Sequence, residues 1–356
     1  MNHRDIANPK AGGAERTIYE IGKRLVLRGH EVDVLAGGWH GALRHETIDG
    51  VRFHRYGNAL LPHVVYPAFL KFHSDSDVIV DDMAHAAPWF SPWFTRLPGV
   101  VFFRHLHSRT LRGQVSPQLA LFLSFLERHY SSIYSKWPFV TESEASERDL
   151  ISIGIDGDRI TRIPPGVDTG LFRPQTKSQE PTLVYFGGMR EYKRPEHALL
   201  ALKVLLDKGI NCNLTMVGEG PVLPQLLHLR SFLELERHVV FTGKISDTQL
   251  VDIVSSSWVN IHCSEAEGWG LSIIESSASG TPTVAYKVPG VSETVKHQVN
   301  GLLVEDGNLR GLVAGIEEMF QNVETISKSS RNYAYRYSWS NTTLMWESRL
   351  KMVCNE

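Results

Sequence analysis

A chain of 356 residues, 42% hydrophobic and 21% charged, has the length of about two globular domains and an ordinary globular composition. Its net charge of −2 gives no general pull toward nucleic acid, so no nucleic-acid partner is expected. Three scattered cysteines, Cys212, Cys263 and Cys354, form no CxxC pair, which argues against a disulfide framework or a zinc site and fits a reducing, cytoplasmic setting.

The N-terminus, MNHRDIANPK, is polar and lacks the apolar run of a secretory leader. No apolar run anywhere approaches the roughly 18 residues of a membrane span, so any membrane contact should be peripheral. Residues 14–30, AERTIYEIGKRLVLRGH, put Ile18, Ile21, Leu25 and Val26 on one helical face, with Gly29 as a stop. EVDVLAG follows as a short strand. DVIVDD (77–82) and GVVFFRH (99–105) read as buried parallel strands, and RITRIPPGVD (159–168) as another. GLFRPQTKSQEPT (170–182) reads as a polar linker. The pattern then restarts. TLVYFGG, CNLTMVG, HVVFTG, VNIHCS and TPTVAY are strands, and the helices PEHALLALKVLLDKG, TQLVDIVSSS and LSIIESSASG lie among them. YSWSNTTLMWESRLKMV (337–353) is a final helix.

Alternating strand and helix in both halves predicts an α/β protein of two facing, doubly wound, Rossmann-like domains. The expected bounds are 1–172 and 173–335, with 336–356 packing back on the first domain. Ligands of such sheets sit beyond the strands' carboxyl ends, so the loops there and the cleft between the domains are the expected site.

AGGAERT (11–17) sets Gly12 and Gly13 ahead of a helix, where backbone can approach an anion. It is neither a GxGxxG fingerprint nor a GxxxxGK[ST] loop, and Gly243-Lys244 lacks the rest of the latter. GGMREYKRPE (187–196) crowds Arg190, Lys193 and Arg194 between a strand and a helix, a good place for a diphosphate. In SEAEGWGLSIIESSASG, Glu267 falls in a loop and Glu275 one to two turns into the next helix. Two carboxylates so placed suit the ends of one extended polar ligand, with N–H groups near Gly270 and Leu271 holding phosphate between them. His105 and His107 stand at the end of a first-domain strand with no carboxylate or cysteine near in sequence, so a polar contact is expected there and not a metal. Asp75-Ser76-Asp77 precedes a strand and is read as a loop without metal.

In this order and spacing, the motifs resemble the retaining GT-B glycosyltransferases of family 4. They are GGAER, IPPGVD, YFGGMREYKRPE, MVGEGP, VVFTGKIS and EGWGLSIIESSASGTPTVAY, and Glu267 and Glu275 have the family's EX7E spacing. The resemblance implies transfer of a sugar from a nucleotide-sugar donor to an acceptor hydroxyl, with retention and without a required metal or other cofactor. It implies that Glu275 holds the ribose, Glu267 the transferred sugar and Lys193 the diphosphate. Gly13, Arg190, Gly218, Gly243, Lys244, Gly268, Gly270 and Leu271 are implied donor contacts. His105 is implied beside the reacting sugar, and Gly12, His107 and Arg109 on the acceptor side. Two departures stand out. Most of the apolar strand the family places before the glycine loop is missing, and the family's basic residue after the first glycine of the diphosphate loop is here Gly188.

Residues 83–141 hold six Arg or Lys against one acidic residue, Glu127, interleaved with APWFSPWF and LALFLSFLERHYSSIYSKW. That mixture suits a membrane surface or a lipid-phosphate acceptor; a core with solvated arginines is the plainer reading. A lipid-linked saccharide or other glycan is the expected acceptor, met at the inner face of a membrane. A non-catalytic nucleotide-sugar-binding protein and a sugar-nucleotide epimerase on the same fold are the rival readings.

Overall fold

The computed structural model describes residues 1–57, 75–109 and 115–355, the side chain of Arg109 excepted. The chain divides into two compact units, Met1–Gly166 with Trp339–Glu356, and Val167–Ser338.

In the first unit, α1 (Gly13–Leu27) turns Ile21 and Leu25 inward and leads into β1 (Asp33–Gly37). β2 (His45–Ile48) and β3 (Val51–Tyr56), given no element above, form a hairpin. Its turn residues Asp49 and Gly50 have φ of 49° and 80°, the left-handed pair that a two-residue hairpin needs. β1 pairs parallel with β3. β4 (Ile79–Met83), β5 (Gly99–Phe103), β6 (Phe139–Thr141) and β7 (Ile160–Arg162) form a parallel sheet in that order. All of β5 is buried, the reason GVVFF is apolar throughout. α2 (Ser91–Phe94), α3 (Pro117–Arg128), α4 (Tyr130–Ile133) and α5 (Glu144–Ser152) connect these strands.

The first three residues bridge the two sheets. Asn2 N–H donates to Leu35 O (2.9 Å), Gly37 N–H to His3 O (3.1 Å) and Asp82 N–H to Met1 O (3.0 Å). Residues 1–3 thus lie between β1 and β4, a short stretch that agrees with the reading of most of a strand as missing there. A cavity of about 1140 Å³ adjoins it, lined by Val32, Val34, Ile79, Trp346 and Leu350 among others. It reaches the amino ends of β1 and β4, away from the carboxyl ends where such sheets bind ligands.

The C-terminal helix (Trp339–Asn355) belongs to this unit. Trp346 packs on Phe102 with ring centroids 4.7 Å apart, and Glu347 accepts from Arg28 at 2.5 Å. Within β4, Asp81 accepts from Tyr134 Oη (3.0 Å) and Asp82 from Arg104 Nε (2.9 Å).

In the second unit β8 (Thr182–Phe186), α6 (Glu196–Asp207), β9 (Asn213–Val217), α7 (Leu223–Phe232) and β10 (Val239–Gly243) run in alternation. They continue through α8 (Asp247–Ser256), β11 (Val259–His262), α9 (Leu271–Ala278), β12 (Thr283–Tyr286), α10 (Val291–Thr294) and β13 (Gly301–Val304). The sheet is parallel with the order β10-β9-β8-β11-β12-β13. This is the doubly wound order, and its direction reverses between β8 and β11. Residues 309–334, also given no element above, form the long helix α11 (Leu309–Ala334), which buries Leu312, Val313, Ile316, Met319, Val323 and Ile326.

The linker expectation needs correction. Phe172 is 1% exposed among Val251, Trp269 and Ile274. Lys177 Nζ donates to Ser257 O (2.7 Å) and Thr281 Oγ1 (2.6 Å). The division therefore falls after Gly166 and not after Leu171-Phe172, because an apolar anchor and a half-buried, hydrogen-bonded lysine tie the segment to the second unit.

Candidate active site

The reversal point of the second sheet brings two of the predicted donor residues, Lys193 and Glu267, together. Lys193 lies in the loop after β8 and Glu267 in the loop after β11, so each hangs from one of the two strands that flank the reversal. Lys193 Nζ donates to Glu267 Oε1 at 2.7 Å. Burial pushes the Glu267 carboxyl up, but the Lys193 ammonium and His262 outweigh it and hold Glu267 well below the usual carboxylate range. Burial pulls the Lys193 ammonium down, and Glu267 more than restores it.

Close backbone approach packs these loops. A Cβ on Gly290 would lie 2.0 Å from Glu267 O, and one on Gly218 would lie 2.1 Å from Gly187 O. Only glycine permits either contact. Gly218 N–H donates to Gly243 O (3.0 Å), which joins the loops after β9 and β10, and Lys244 beyond is exposed. Gly268 is half-buried. Gly270, with φ 88°, opens α9, and no side chain caps that end. Leu271 begins the helix, and Glu275 is half-buried one turn on.

The three cations of the loop after β8, Arg190, Lys193 and Arg194, are not equivalent. Arg194 is committed: its Nη2 donates to Asp306 Oδ1 at 2.6 Å and its guanidinium lies 5.0 Å from the Tyr286 ring centroid. Arg190 is exposed, with no ion pair among the described residues. Of the two arginines, Arg190 is thus the less committed.

In the first unit, Gly12 and Gly13 are exposed at the start of α1. Gly12 N–H is taken by Glu15 Oε2 (2.7 Å), and Glu15 pairs with Arg4 (3.0 Å). The end of β5 lies close by: Arg104 Nη2 donates to Ala14 O at 3.3 Å. His105 is half-buried, its ring centroid 4.4 Å from that of His107. His107 turns inward, Nε2 3.4 Å from Met83 O, and its backbone N–H donates to Glu127 Oε1 (2.7 Å). Burial, with His105 beside it, pushes the His107 imidazole down to about 3. The side chain of Arg109 lies outside the described residues. Asp75-Ser76-Asp77 is a loop leading to β4.

The basic stretch 83–141 also needs correction. Arg104 is buried and paired with Asp82 and Glu142, so it contributes no surface charge. Trp89, Tyr130, Tyr134 and Trp137 belong to the core. Trp93, Phe94, Leu121, Phe122 and Phe125 are exposed, as are Arg96, Arg128 and Lys136. Among the described residues, no helix is long and apolar enough to cross a membrane.

Sequence reasoning passed over His262, Ser264 and Ser272. Ser264 Oγ donates to Glu267 Oε1 at 2.7 Å, and His262 and Ser272 lie against each other at 3.4 Å. A histidine closing a fully buried strand, just ahead of the loop, was the available signal.

Residues 169–337 match the glycosyl transferases group 1, and residues 11–171 match glycosyltransferase family 4. An uncharacterised glycosyltransferase of Methanocaldococcus jannaschii is 24% identical over 355 residues, covering 90% of this chain and 89% of that protein. Sucrose-phosphate synthase from Thermosynechococcus elongatus superposes with a TM-score of 0.85 at 20% identity, over 99% of this chain and 97% of that one. HepE from Anabaena, solved in complex with UDP-glucose, does so with 0.78 at 18% identity, over 97% of each chain. The fold is GT-B, built of two Rossmann-like units. Together these two family matches span residues 11–337, and the chain is a glycosyltransferase.

Proposed function

We propose that this chain is a retaining hexosyltransferase that takes a sugar from a UDP- or GDP-linked donor to an acceptor hydroxyl without a metal. One observation carries the reading: the Lys193–Glu267 pair spans the reversal point of the second sheet, where doubly wound folds bind nucleotides. Lys193 and Arg190 neutralise the diphosphate, helped by the N–H groups that open α9. Fixed cations do here what a bound metal does in other transferases, namely stabilise the departing diphosphate. Glu267 grips hydroxyls of the transferred sugar and Glu275 the ribose. Gly13 approaches the donor phosphates and His105 the reacting sugar. Gly12, His107 and Arg109 are assigned to the acceptor side. The solved complex of HepE with UDP-glucose supports a sugar-nucleotide ligand for this fold.

The acceptor in this reading is a lipid-linked saccharide or another glycan, met at the cytoplasmic face of a membrane. The exposure of Trp93, Phe94, Leu121, Phe122 and Phe125, and of Arg96 and Arg128, supports that choice. A non-catalytic nucleotide-sugar-binding protein is disfavoured, a choice that the pairing of Lys193 with Glu267 at the reversal point supports. The test is to incubate the chain with UDP-glucose or GDP-mannose and a lipid-linked glycan mixture, with and without EDTA. The expected product keeps the donor's anomeric configuration by NMR, at a rate EDTA leaves unchanged. An inverted product, or activity that requires added manganese, contradicts the proposal.

A further inference from the structure

The donor-site assignments leave one buried histidine unused. His262 is the last residue of β11 and is 6% exposed. Among the described residues its Nε2 has no hydrogen-bond partner, and Glu267 Oε1 lies 3.4 Å away. Its Nδ1 lies 3.4 Å from the Ser272 hydroxyl in the first turn of α9. A buried ring N–H without an acceptor is costly, so the one carboxylate oxygen in reach is its natural partner.

Lys193 Nζ and Ser264 Oγ reach that same oxygen, each at 2.7 Å. Three donors converge on Oε1. Oε2 receives no hydrogen bond from the described residues and keeps its full accepting capacity. A carboxylate pinned through one oxygen cannot rotate freely about its last torsion, so the other oxygen points in a fixed direction.

We propose that His262 is a positioning residue: its Nε2–H, donated to Oε1, sets the rotation of the Glu267 carboxylate so that Oε2 meets the hydroxyls of the transferred sugar. The inference rests on the donor reading above. With Nε2 as the donor, Nδ1 is the acceptor for Ser272 Oγ, which links the carboxylate to the first turn of α9. His262 itself touches no ligand. Its effect therefore falls on recognition of the sugar and not on the nucleoside diphosphate.

The experiment is calorimetric titration of the full chain with UDP-glucose, UDP, GDP-mannose and GDP. The quantity read is the ratio of affinity for the nucleotide-sugar to affinity for its free diphosphate. In His262→Leu that ratio falls about tenfold, the scale of a lost hydrogen bond to a charged group, while the free diphosphate binds within about twofold of wild type. His262→Gln restores most of the ratio, since its amide nitrogen reaches the place of Nε2. His262→Asn, too short to reach, does not, and this Gln–Asn contrast keeps the test open if the leucine variant fails to fold. In a Glu267→Gln background, His262→Leu has no further effect. An equal loss for sugar-bearing and free diphosphates would mean simple packing and overturn the proposal, as would an unchanged ratio. Failure of the wild-type chain to bind any of the four would instead overturn the donor reading itself.

Discussion

Lys193 and Glu267 each sit where burial alone would favour the neutral form, and each is kept charged by the other. Glu267 is depressed relative to the unfolded chain, so its contribution to stability is complete above the ordinary carboxylate value and is lost as pH falls through the folded one. Lys193 is raised, so its contribution is complete below the ordinary lysine value and fades only in strong alkali. Near neutrality the pair is at full strength. Lys193→Ala leaves Glu267 buried with its cation gone, at an expected cost of roughly 3 kcal/mol at pH 7. Urea unfolding at pH 7 and at pH 4 should show that the deficit shrinks in acid. A deficit that stays constant across that range would mean lost packing and not lost pairing. The spacing of Glu267 and Glu275 and the cluster Arg190-Lys193-Arg194 were legible as sequence. The choice between the arginines was not, because Asp306, which claims Arg194, lies 112 residues away. Nor was the role of His262, since a lone histidine in a short buried strand reads as core until the following loop brings a carboxylate to it.

Among the elements, the turn after β5 carries a testable pH signature. His107 has a folded value of about 3. As pH falls from about 6.5 toward 3, the unfolded chain takes up a proton that the folded chain refuses, and stability drops by up to about 1.4 kcal/mol per pH unit. Asp81, pushed by burial up to about 6, works in the opposite sense between its ordinary value and 6. Both proteins share Asp81, so it cancels when His107→Gln is compared with wild type. The variant should lose stability more slowly than wild type between pH 7 and pH 5 in thermal melts; parallel curves would contradict the neutral, inward-turned imidazole. α3 raises a different question. Apolar residues at Leu121, Phe122 and Phe125 read equally well as core, and only the packed structure leaves them exposed while it buries Tyr130 and Tyr134. Phe122→Asp with Phe125→Asp should sharply lower co-sedimentation with anionic phospholipid vesicles and leave nucleotide affinity unchanged. Equal sedimentation of both proteins would remove the membrane from the account.

For the molecule as a whole, α/β class and the run of strands were legible because apolar strands, glycine stops and amphipathic helices recur in order. The strand order was not. A parallel strand does not announce its neighbours, and the reversal between β8 and β11 exists only in the folded sheet. The hairpin β2–β3 went unread because alternating exposure in HETIDGVRFHRY leaves few apolar residues to mark it. The segment 170–182 looked like a linker because it is polar, yet Phe172 and Lys177 anchor it. The surface charge assigned to 83–141 shrank because Arg104 spends its charge on Asp82 and Glu142. Apart from the hairpin, these misreadings share a cause: each turns on a partner distant in sequence. The central claim is that the reversal point of the second unit binds a nucleotide-sugar through Lys193. Its most direct test is calorimetric binding of UDP-, GDP- and ADP-linked sugars to the wild-type chain and to Lys193→Ala. The account predicts that one donor binds the wild type and that the variant binds it at least about tenfold more weakly, as expected for loss of a charge-assisted contact. Binding of no donor, or equal binding by both proteins, would contradict it.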